Sequence, residues 1–148
     1  MAANTTPIFA GKFESTVGGA ILGPNANTAT DGTGANMYLI ETMTVDGSWV
    51  NYVKFKATGS PAATVIRLWY CTDTGAFTGG TTNTAANTAL IGEKSTASWT
   101  ASNTFASPEY VIPIRAGLPA GTKLLVSFGT STGAAGNGFS VFVNSYGF

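Results

Sequence analysis

The chain has no histidine and a single cysteine in 148 residues, and only 9% of it is charged. Without histidine it lacks the commonest general base, the side chain that titrates near neutrality and the commonest zinc ligand. One cysteine excludes an intrachain disulfide and a thiolate metal cluster. With no imidazole to activate it, Cys71 reads as a small hydrophobe in the run Leu68-Trp69-Tyr70-Cys71. A free thiol fits a protein assembled in a reducing cytoplasm. An average soluble domain is roughly 25% charged, whereas here seven Lys plus Arg balance seven Asp plus Glu. No cluster of cations supplies a footprint for nucleic acid or an anionic membrane. No apolar run approaches the roughly 18 residues of a membrane span, and Met1–Pro7 has neither the basic nor the apolar region of a signal peptide.

The acidic residues are equally sparse in motif. Glu41 and Glu93 are the two that a glycosidase reading would pair, since that chemistry needs only two carboxylates flanking a bond. Asp31-Gly32-Thr33-Gly34 inverts the Asp-Thr-Gly order of aspartic proteases and occurs once, so it reads as a turn with an Asp cap and glycines at positive φ. There is no phosphate-binding loop, dinucleotide fingerprint or EF-hand loop. The sequence therefore assigns no catalytic residue, no cofactor and no metal ligand.

What the chain does have is Thr, Ser, Asn, Gly and Ala between short apolar runs. Eight such runs, near 8–17, 36–44, 49–57, 62–71, 88–96, 108–115, 122–128 and 139–146, are predicted strands. Val53, Phe55 and Ala57 alternate with Lys54 and Lys56, so one face is expected buried and the other wet. Ile66, Leu68 and Tyr70 form a similar stripe opposite Arg67, and Leu124, Val126 and Phe128 alternate with Lys123 and Ser127. That habit belongs to antiparallel sheets. Asp46-Gly47-Ser48 suits a hairpin and Leu118-Pro119-Ala120-Gly121 a type I turn. Pro113 places its strand at an edge or a bulge. The expectation is one all-β domain over 1–148, an antiparallel two-sheet β-sandwich of jelly-roll or immunoglobulin-like type, with a small closed barrel as the alternative.

Two stretches, Gly18–Ala35 and Asp73–Asn87, break the rhythm. They read either as long surface loops or as contact arms that order against a neighbouring subunit, and residues 1–35 as a whole are a candidate extended arm. The candidate interface residues are Arg67, Trp69, Asp31 and Phe77. Trp69 shares the face of Arg67, which leaves it open between core and interface anchor; Trp49 and Trp99 are expected in the core.

Three segments carry a family resemblance: Thr64-Val65-Ile66-Arg67-Leu68-Trp69-Tyr70, Thr81–Asn87 leading into Thr88-Ala89-Leu90-Ile91-Gly92-Glu93, and Ile112-Pro113-Ile114-Arg115-Ala116-Gly117-Leu118-Pro119-Ala120-Gly121-Thr122-Lys123-Leu124. Together they resemble small accessory virion proteins of tailed bacteriophages, over about residues 60–146 with a weaker echo in Pro7–Thr33. The resemblance implies a capsid decoration role on a β-sandwich. It implies the major capsid protein as partner, self-association into a symmetric oligomer, and a location on the virion surface after synthesis in the host cytoplasm. It implies no catalytic residue. A carbohydrate- or receptor-binding module of a head or tail fibre is the second expectation, and it calls for an exposed aromatic platform.

Overall fold

A computed structural model describes residues 12–23, 25–43 and 46–147. Among these residues eight strands form: β1 (Lys12–Leu22), β2 (Tyr38–Thr42), β3 (Ser48–Thr58), β4 (Thr64–Cys71), β5 (Thr88–Thr96), β6 (Glu109–Leu118), β7 (Lys123–Phe128) and β8 (Gly138–Gly147). Period-two patterning explains which faces turn inward. In β3, Val50, Val53, Phe55 and Ala57 are buried while Lys54 and Lys56 lie opposite; Phe139, Val141 and Val143 repeat the pattern in β8.

The strands make a β-sandwich. A first sheet has the order β1-β8-β3-β6, a second the order β2-β7-β4-β5, and every pairing is antiparallel. The pairing is nested: β1 takes β8, β2 takes β7, β3 takes β6 and β4 takes β5, alternately in the two sheets. Every connection but β4–β5 therefore crosses between sheets. The Asp46-Gly47-Ser48 turn, expected to close a hairpin, is one of these crossings. Gly47 takes φ 92° as its chemistry demands, but both sides of β3 are already occupied by β8 and β6. Local turn residues set the bend; they do not choose the partner. A turn does form here, but one residue later than the type I turn expected at Leu118–Gly121: Thr122 N–H and hydroxyl both donate to Pro119 O, and Gly121 in the third position takes φ 74°, which type I does not use.

Residues 12–22, which the sequence reading placed in an extended arm, form β1 at the edge of the first sheet, and residues 1–11 lie outside the described residues. Pro113 does sit on an edge strand, β6, and next to a bulge as well. Val50 pairs with Ala116 and Tyr52 with Pro113, so two steps along β3 match three along β6. Against β8 the imbalance reverses, and Asn51 is the extra residue. Arg115 occupies the β6 bulge at φ 55°, the one non-glycine residue at positive φ among those described. A left-handed backbone costs a side-chain-bearing residue about 1–2 kcal/mol. Arg115→Gly is accordingly expected to match or exceed the wild-type melting temperature, and Arg115→Val to fall below it; thermal unfolding of the three proteins checks the order.

Between the sheets lies an apolar core of Val50, Val53, Phe55, Ile66, Leu68, Leu124, Val126, Phe128, Phe139 and Val143, with their neighbours. An aromatic column crosses it. Phe128 of the second sheet stacks on Phe139 of the first, with centroids 5.7 Å apart and planes 5° from parallel. Tyr38 meets Phe128 edge-on and Tyr110 meets Phe139 likewise.

Candidate interaction surfaces

The outer face of the second sheet is not wet. Trp69 points away from the main core yet is 1% exposed. It packs with Met37, Cys71 and Leu125, with Phe77 laid against the group, and its Nε1 donates to Ser127 Oγ at 2.8 Å. The cover comes from segments 25–37 and 72–87. The question left open by the sequence is thereby answered: Trp69 anchors a second, smaller core. Lys123 and Ser127, read as solvent-facing by alternation, are both buried under the same cover. The Lys123 ammonium donates to the backbone carbonyl of Asp73 and lies 3.8 Å from Asp73 Oδ1.

Side-chain amides brace each of these two segments and, through Asn83, join them, acting as substitutes for backbone partners. Asn83 Nδ2 donates to Gly32 O at 2.9 Å and to Gly34 O at 3.0 Å. Asn36 Nδ2 donates to Ala26 O and Asn87 Nδ2 to Thr82 O. The Thr/Asn-rich stretches thus order against their own chain.

Arg67 and Asp31 have local partners too. Arg67 Nε donates to Glu93 Oε1 at 2.9 Å, and its Nη1 to Asn27 O at 3.2 Å, which ties segment 25–37 to the sheet. Asp31 is exposed, and its Oδ1 accepts from Thr33 N–H at 3.1 Å and Thr33 hydroxyl at 2.6 Å. These bonds, the hydroxyl's foremost, hold its carboxyl below the ordinary aspartate range. With Gly32 and Gly34 at φ 85° and 103°, Asp31-Gly32-Thr33-Gly34 is the turn its sequence suggested. Of the four candidate interface residues, Asp31 alone is exposed; Arg67 and Phe77 are half-buried within the chain.

Other residues carry the exposed apolar surface. Leu39 lies on β2, and Leu90 and Ile91 on β5, the two free edges of the second sheet. Phe105 is 73% exposed on a turn where Ser102 Oγ accepts the N–H groups of Thr104 and Phe105. Trp49 and Val111 lie on the outer face of the first sheet. The expectation that Trp49 is core is corrected here. Strict alternation puts Trp49 with Val53, but the extra residue Asn51 switches parity, so Val50 turns in and Trp49 out. Trp49 Nε1 donates to Asn51 Oδ1 at 3.0 Å, and Asn51 Nδ2 to Asn144 Oδ1 at 2.7 Å. Trp49, Asn51, Tyr52, Val111, Pro113 and Arg115 line a shallow groove there. None of these exposed positions was distinguishable in sequence from core apolar residues, except Phe105, which stands outside any alternating run.

The pairing of Glu41 with Glu93 that a glycosidase reading needs is not formed. Glu41 and Glu93 lie on opposite edge strands of the second sheet, about 14 Å apart across the strands and offset along them as well, Glu41 level with Tyr70 and Glu93 with Arg67. Paired glycosidase carboxylates sit roughly 5–9.5 Å apart. Among the described residues no three His, Cys, Asp or Glu side chains gather as a metal site. Compared with protein-family models, with curated proteins and with solved structures, the chain matches none.

Proposed function

We propose that this protein is a structural subunit of a tailed-phage virion that decorates the capsid and stabilises it by binding the major capsid protein. The observation that carries the reading is the placement of exposed aliphatic side chains on both free edges of one sheet, Leu39 on β2 and Leu90 with Ile91 on β5. Exposed apolar edges are association sites, and the charges beside these are few: Glu41 on β2, and on β5 Lys94 with Glu93, which Arg67 holds. Here the chain's formal net charge is zero, so little repulsion opposes association. A β2 edge on one copy facing a β5 edge on the next is a head-to-tail contact, which closes into a ring when the rotation permits. The nested strand pairing supports reading the sandwich as a jelly roll, an architecture that viral capsid and lectin domains share. Fold alone assigns no function, so the edges and the resemblance over 60–146 carry the weight.

The reading predicts that capsids carrying the protein survive heating that ruptures capsids lacking it, because binding to the assembled state stabilises that state. Equal resistance of the two kinds of capsid would remove the cementing role. Leu39→Lys with Leu90→Lys is expected to weaken self-association or capsid binding at least about tenfold, as loss of an interface anchor does. Its melting temperature should stay near that of the wild type, since both side chains are exposed. Sedimentation and capsid pull-down measure the first, thermal unfolding the second.

A further inference from the structure

We infer that the groove on the outer face of the first sheet is a saccharide-binding site, and that its ligand is an acidic oligosaccharide of the uronic-acid type. Trp49 is the stacking platform. Its indole is held at one end by the Nε1 bond to Asn51, which Asn144 holds in turn. The other end lies over Gly117, its cross-strand partner on β6, at van der Waals range: a Cβ there would stand 3.7 Å from Trp49 Cε3. The ring is thus fixed in place and still 41% exposed. A pre-oriented aromatic surface binds with little loss of side-chain entropy. Tyr52, three residues on, continues the aromatic row toward Phe142, with centroids 6.3 Å apart.

Charge selects the class of sugar. Of the charged side chains on β3, β6 and β8, three are cations (Lys54, Lys56 and Arg115) and one is a carboxylate, Glu109. Glu109 stands 3.7 Å from Lys54 and 3.8 Å from Lys56. Arg115 lines the groove with no ion pair to any described residue. On a chain of zero net charge this face therefore has a surplus of positive charge beside a flat indole. A guanidinium recognises a carboxylate through a planar pair of donors. The strained backbone at Arg115 fits such a role, since strain of this kind concentrates at functional positions. A nucleic acid is disfavoured because one unpaired cation next to the platform cannot neutralise a run of phosphates.

The test is a fluorescence titration of the whole protein with oligogalacturonate, and with neutral cello-oligosaccharide as comparison. Binding of oligogalacturonate should perturb tryptophan emission, and Trp49→Ala should weaken it by about tenfold or more, as loss of a stacked anchor does. Arg115→Gly, which suits the left-handed backbone, should keep the fold while bringing the acidic and neutral affinities together. The inference is overturned if the wild type shows no preference for the acidic oligomer, or if Trp49→Ala, folded by its thermal transition, binds it undiminished. Tighter binding of an acidic peptide or of single-stranded DNA to the same residues would overturn it equally. None of these outcomes bears on capsid docking, which is read from Leu39 and Leu90 in a separate assay.

Discussion

Replacing Trp69 with alanine should lower the unfolding free energy by about 3–5 kcal/mol, the usual loss when a large buried aromatic is truncated. The whole indole sits inside a cluster of only four buried residues, Met37, Trp69, Cys71 and Leu125, with Phe77 against them, so little remains to collapse into the void. The loss has a second part. Ser127 is fully buried and its hydroxyl accepts the Nε1 bond; without it a buried polar group goes unpaired. Trp69→Phe separates the two, keeping most of the apolar volume while forfeiting the bond, and should cost roughly 1–3 kcal/mol. Chemical denaturation measures both. Hydrogen exchange locates the effect: amides in 25–37 and 72–87 should lose protection before those of β3 and β8, because those segments are held over the sheet by this cluster. If Trp69→Ala exchanged uniformly faster across both sheets, the two cores would be one cooperative unit.

Lys123→Met should destabilise the fold by about 2–4 kcal/mol, despite conserving the length and apolar bulk of the side chain. Lys123 is 2% exposed, and what holds its ammonium is the carbonyl of Asp73 with the Asp73 carboxylate close by. Methionine fills the space but donates nothing, so the carbonyl at the root of segment 72–87 loses its partner. Asp73 is only partly exposed, and its charge is left uncompensated. Because the pair is shielded, wild-type stability should change little between low and moderate salt, unlike an exposed ion pair such as Lys56 with Glu109. Urea unfolding of both proteins at two salt concentrations checks magnitude and screening together. A Met variant as stable as the wild type would show that the ammonium merely fills a cavity.

These two residues also mark where sequence reading reaches its limit. The all-β class, seven of the eight strands with the first half of β1, and the edge position of Pro113 were legible, because period-two patterning, turn chemistry and the missing proline N–H act within a few residues of chain. The Asp31 turn was legible for the same reason. The absence of histidine and the lone cysteine constrained chemistry before any fold was known. Tertiary structure decided what depends on distant chain. Trp69, Lys123 and Ser127 are buried because segments 25–37 and 72–87 fold back over their sheet, and nothing in the alternation of β4 or β7 encodes that cover. Trp49 faces outward because one extra residue, Asn51, shifts the parity of β3 against β8, a mismatch that exists only once the partner strand is in place. The Asp46-Gly47 turn joins two sheets instead of closing a hairpin because β8 and β6 occupy both sides of β3. The absence of histidine and of a second cysteine was thus written in the residues themselves. Which apolar side chains reach the surface was set by pairing, where a one-residue slip exchanges inside for outside.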